Sequence, residues 1–161
     1  MRLVTLSLVL ATTMLASAEA SEFAQYPAEA PLIGPPAKAR LTTPEAKRFG
    51  TVLREAAAQP PNFNGHYRVA SWGCGSNCLA WAVVDLQTGE PWVAPIVAGS
   101  CTGSHEPPGL KAPDWFDIRM NSSLLYLHDC SGENHRRSFD IRHVYVWSDK
   151  QLKLLRTERL P

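Results

Sequence analysis

The chain has 161 residues, with 16 Lys and Arg against 15 Asp and Glu, for a net charge of +1 at pH 7. So even a balance excludes the concentrated basic face by which nucleic-acid binders hold phosphate. The length suits one domain with a sizeable core.

Residues 1–20 read as a secretory leader. Arg2 supplies the positive start, residues 3–15 form an apolar run, and Ala16-Ser17-Ala18 and Ala18-Glu19-Ala20 offer small-x-small cleavage sites. The run is shorter than the roughly 20 apolar residues of a membrane span. Cleavage after Ala20 would remove one Arg and one Glu and leave 141 residues, still at +1. No membrane span is expected in that product, which is placed in the periplasm or secreted.

Residues 21–40 are rich in Ala and Pro, with Pro27, Pro31, Pro35 and Pro36, and show no apolar period. They predict an extended, partly ordered lead-in. The folded domain is expected over residues 41–161. Thr43 then caps a helix with Pro44 at its first position, and Ala46, Phe49, Leu53 and Ala56 recur at helical spacing until Pro60-Pro61.

Beyond Pro61 the period is that of strands. Residues 66–72 are one candidate. Residues 79–86 are apolar on both faces and predict a central strand. Residues 91–97 carry Pro95, which assigns them to an edge. After a Gly- and Pro-rich break over 99–114, strands are expected at 115–120, 124–129, 138–147 and 151–157, joined by short polar turns. The predicted class is α+β: one N-terminal amphipathic helix on a six- or seven-stranded, mainly antiparallel sheet built as a meander.

Cys74, Cys78, Cys101 and Cys130 all follow the leader, and an even count in an oxidising compartment predicts two disulfides. Four cysteines allow three connectivities. A straight strand would hold Cys74 and Cys78 about 13 Å apart, but Gly73 and Gly75 can fold the chain back, so Cys74–Cys78 with Cys101–Cys130 is the preferred pairing. Cys74-Gly75-Ser76 resembles a papain-type signature, yet Asn77 is inserted, Leu79 replaces an aromatic, and only 83 residues follow Cys78. That family needs about 130 to 150. A four-thiolate zinc site, with His105 or His128 substituting, competes poorly with oxidation.

The cluster His128-Asp129-Cys130-Ser131-Gly132-Glu133-Asn134-His135 ends a strand and enters a polar loop. It reads either as a general acid/base pair facing His105 or as a hydrophilic turn, and strand alternation sends His128 and Asp129 to opposite faces. His66 follows Gly65 and reads as a buried or half-buried residue satisfying turn backbone. Trp81 and Trp147 read as core, whereas Trp72, Trp92 and Trp115 adjoin breaks, where aromatics can also bind carbohydrate or protein.

The segments N-F-N-G-H-Y-R-V, W-G-C-G-S-N-C, A-V-V-D-L-Q-T-G and W-S-D-K-Q-L-K-L-L, within residues 60–157, together resemble a group of small exported bacterial proteins of uncharacterised function. The resemblance implies a signal peptide and an exported β-rich domain, with no catalytic residue or ligand to carry over.

The leading expectation is an exported, disulfide-stabilised binding domain of the bacterial cell envelope, its partner a protein or an envelope polymer. The candidate surface comprises His66, His105, His128, Asp129, Glu133, His135 and Trp115, with no catalytic residue, cofactor or metal assigned. The alternatives are a small secreted hydrolase using a cysteine or a His–carboxylate site, and a metal-binding periplasmic protein.

Overall fold

The computed structural model describes residues 21–75, 78–95, 115–129 and 141–160. The leader, Cys101, His105, Cys130, Glu133 and His135 lie outside the described residues, as do most of the two long connections.

Among the described residues, 21–24 are helical, and two further short helices, α1 (Pro44–Arg48) and α2 (Gly50–Ala57), precede seven strands: β1 (Tyr67–Gly75), β2 (Cys78–Asp85), β3 (Pro91–Val93), β4 (Phe116–Ile118), β5 (Leu124–Asp129), β6 (Ile141–Ser148) and β7 (Gln151–Arg159). Every pairing is antiparallel. The mainly antiparallel α+β class read from the sequence holds. The single sheet does not, because the strands divide into a three-stranded sheet, β1-β2-β3, and a four-stranded sheet, β4-β5-β6-β7.

The reason lies in the two central strands. β2 is buried on both faces, and β5 opens with Leu124, Leu125, Tyr126 and Leu127, none more than 1% exposed. One sheet under one helix would leave half of those side chains in water. Stacking the sheets buries Tyr67, Val69, Trp81 and Val83 of the first against Leu125, Leu127 and Trp147 of the second. Tyr67 meets Trp147 with ring centroids 5.2 Å apart, and Trp81 meets Phe116 at 5.2 Å.

The outer faces are covered differently. Leu53, Ala56 and Ala57 of α2, with Ala46 of α1, pack on Ala82, Val84 and Leu86. Thr43 caps α1 as expected, its hydroxyl accepting from the Ala46 N–H at 3.1 Å. The predicted continuous helix is interrupted at Phe49 (φ −102°, ψ 22°), whose ring packs on Trp72 at 4.9 Å. On the far side, Phe23 and Tyr26 of the lead-in cover Leu124, Tyr126 and Val144.

The lead-in is thus a strap rather than a loose tail. Glu22 receives two bonds from the Arg156 guanidinium, at 2.5 and 2.9 Å, and one from the Tyr126 hydroxyl at 2.7 Å. The strap then crosses the end of both sheets, and Ala37 N–H and Arg40 N–H donate to Leu86 O and Gly89 O. Composition gave no reason for order here; contacts with chain 100 residues away supply it. Among the described residues, no helix is long and apolar enough to cross a membrane.

Candidate functional site

Registers sort the molecule into two poles. At one pole lie the 62–66 turn, the turn after β2, the 119–123 turn, the Asp149-Lys150 turn and the strap. Asn64 N–H donates to Arg119 O, Gly65 N–H to Met120 O, and Lys150 pairs with Glu90 at 3.3 Å. At the other pole are the β1–β2 tip and the four chain points Pro95, Trp115, Asp129 and Ile141, from which the 96–114 and 130–140 connections depart and return. Ala94 N–H bonded to Trp81 O, Phe116 opposite Leu127, and Asp129 opposite Ile141 place them together.

The first, tight pole holds His66. Asn64 and Gly65 take positive φ (44° and 80°), which folds the turn back on the strap, and a side chain at Gly65 would overlap the Glu29 carbonyl. Asn64 then exchanges hydrogen bonds with Glu29, accepting from its N–H at 2.9 Å and donating to its carboxylate at 3.1 Å. His66 Nδ1 donates to Ala30 O at 2.7 Å, while Nε2 lies 3.9 Å from Glu29 and 3.8 Å from Asp85. Asp85 is itself engaged by Gln87 N–H, Thr88 N–H and the Thr88 hydroxyl. Tyr67 donates to Glu29 at 3.1 Å. Burial, reinforced by the Glu29 and Asp85 charges, pushes the Tyr67 hydroxyl up to about 12. His66 is buried, 5% exposed, and structural as the sequence reading expected, but the backbone it satisfies is Ala30 O of the strap rather than its own turn.

The open pole carries the remaining described candidates. Cys74 and Cys78 are bridged, with Cα atoms 5.1 Å apart, closing the β1–β2 hairpin. The expected partner bridge, Cys101–Cys130, lies outside the described residues. Asp129 shares the inner face of β5 with Leu125 and Leu127, and His128 takes the opposite face, across from Arg142. His128 N–H donates to Trp115 O at 2.9 Å. The indole of Trp115 is half-buried against the inter-sheet core, as is that of Trp92; Trp72 is half-buried beneath the helices.

One arrangement escaped the sequence reading. His143 Nε2 lies 3.8 Å from Asp129 Oδ2, and its Nδ1 is 2.9 Å from the Thr157 hydroxyl. Carboxylate, imidazole and hydroxyl thus form a row across β5, β6 and β7. Asp129 and His143 are diagonal neighbours, because Asp129 faces Ile141 and Leu127 faces His143. The Tyr145 hydroxyl is raised by burial and then by the charge of Asp129. Strand alternation had put His143 on a face with Ile141 and Tyr145, but without a register nothing joined it to Asp129.

Imidazole, carboxylate and hydroxyl so arranged are groups that can exchange protons and hydrogen bonds with a molecule that reaches them. Among the described residues, no group of three or more His, Cys, Asp or Glu could hold a metal ion. The tight pole joins His66 to Glu29 and Asp85, and the open pole joins Asp129 to His143; β5 runs lengthwise between the two poles and keeps the clusters apart. The chain matches no family model, no curated protein and no solved structure.

Proposed function

We propose that the protein is an exported binding domain of the bacterial cell envelope, stapled by disulfides, that engages a protein or an envelope polymer through its open pole. The observation that carries this reading is the meeting of the four chain points Pro95, Trp115, Asp129 and Ile141 with the Asp129–His143–Thr157 row at the pole capped by Cys74–Cys78. Loops on a rigid sheet are where sites concentrate. Export rests on the leader-like residues 1–20 and on the resemblance to small exported bacterial proteins.

Two measurements test it. Intact mass of protein from the periplasm should begin at Ser21 and be four hydrogens light, with no cysteine alkylated before reduction. A photo-crosslinker placed at His128 should then capture partner in the envelope, while one at Gln151 of the tight pole should not. Retention of the leader, or equal capture from both poles, refutes the reading.

A second reading, a small secreted hydrolase, is favoured by the row itself, in which an imidazole stands between a carboxylate and a hydroxyl. Esterase activity that disappears in His143→Ala would establish it; activity unchanged by that substitution would remove it.

A further inference from the structure

Among the described residues β1 is an edge strand, and their cover reaches only half of its free edge. At Tyr67 the cover is backbone: Phe63 accepts from the Tyr67 N–H at 3.0 Å and donates to its carbonyl at 3.1 Å. At Val69 it is a side-chain amide: Asn62 Oδ1 accepts from Val69 N–H at 2.8 Å, and Asn62 Nδ2 donates to Val69 O at 3.1 Å. The described residues thus lay amide groups along this edge, as an added strand would, at two positions.

Backbone groups alternate sides along a strand. Because Tyr67 and Val69 turn theirs away from β2, so must Ser71 and Gly73. The far side agrees: Trp81, paired with Ser71, gives its carbonyl to Ala94 of the β3 segment. Ser71 and Gly73 are exposed, and their outward N–H and C=O groups meet no partner among the described residues. Beside them, between the edge and α2, runs an open groove of about 370 Å³, lined by Val52, Glu55, Ala56, Gln59, Arg68 and Ala70. The disulfide at Cys74 holds the strand end next to Gly73 in place.

We infer that this edge is a docking site for an extended peptide segment of a partner protein, which adds a strand alongside Ser71 and Gly73 and lays a side chain in the groove against α2. The argument for a peptide is one of matching chemistry. The open positions are two donor–acceptor pairs about 7 Å apart, and a polypeptide backbone in the extended form has that repeat. Asn62 shows an amide already recognised on the same edge. The site is independent of the open-pole reading, since it uses none of the Asp129, His143 or Thr157 groups.

The test uses the full mature chain and a displayed library of random heptapeptides. In the free protein, the Ser71 and Gly73 amides should exchange with deuterium far faster than those of Ala70 and Trp72. Selected peptides should slow both by at least tenfold and bind Ser71→Pro at least tenfold more weakly. Proline there removes only an outward N–H, which an edge strand tolerates. Val52→Arg, which fills the groove without touching the strand, should weaken the same peptides and covers the case in which the proline variant does not fold. The inference is overturned if no peptide is enriched, or if enriched peptides ignore both substitutions. It is equally overturned if the two amides slow with protein concentration alone as a dimer forms, since the occupant would then be a second copy.

Discussion

The two poles are built from the same strands and yet held by different means. At the tight pole, four turns and the strap interlock, and polar groups are bonded to partners distant in sequence, as in Asn64 with Glu29 and His66 with Ala30. At the open pole, the described contacts run between neighbouring strands, and a local disulfide closes the hairpin. Titratable groups occur at both. His66 and Asp85 bond main-chain groups of the strap and the following turn, whereas His143 bonds a hydroxyl beside a carboxylate. An imidazole thus serves the backbone in one place and neighbouring side chains in the other.

The sharpest way to break this contrast is at Gly65. Gly65→Ala forces a side chain into positive φ and against the Glu29 carbonyl, and should cost about 3 kcal/mol or more. Urea unfolding measures it, and a loss below about 1 kcal/mol would show that the strap is not locked there. Replacing Cys74 and Cys78 together by Ser should cost about 2 kcal/mol, since the bridge closes a short loop. The tight-pole amides should keep their exchange protection; if they lose it, the poles are coupled.

Next comes the strap's outer anchor. The Arg156 guanidinium holds Glu22 below the usual carboxylate range. A depressed carboxylate contributes stability that is present above its unfolded pKa and lost as pH falls through its lower, folded value. Glu22→Gln should therefore cost about 1 kcal/mol at pH 7, kept small by the partial exposure of Arg156. The difference from the parent should vanish below the carboxylate range. A difference that persists there would mean that packing of Phe23, not the ion pair, seats the strap.

The smallest effect on stability is expected at the open pole. His143→Ala should change it by about 0.5 kcal/mol or less, because the ring is partly exposed at the margin of the core. It should nevertheless abolish partner capture through the pole. A large stability loss with intact capture would reverse the roles assigned to the two clusters.

Strands, turns and the helix start were legible because their signals are local. Period-two alternation marked β6, Pro44 after Thr43 marked α1, and Ser148-Asp149-Lys150 marked the last turn. The glycines around Cys74 made that bridge legible too. The pairing of Asp129 with His143 was not legible, because it depends on the register of β5 against β6. Nor was the order of the strap, whose composition lacks any apolar period and whose stability comes from Arg156, Tyr126, Asn64 and Leu86.

The sequence by itself therefore determined which segments are strands, that β2 needs both faces covered, and that Cys74 can reach Cys78, since each depends on neighbours in the chain. Only the tertiary structure decided that the strands form two stacked sheets, that His66 bonds the strap, and that Asp129, His143 and Thr157 share a row. Those outcomes are set by which faces meet across space, and burying both faces of β2 and β5 at once is a condition that no single segment carries.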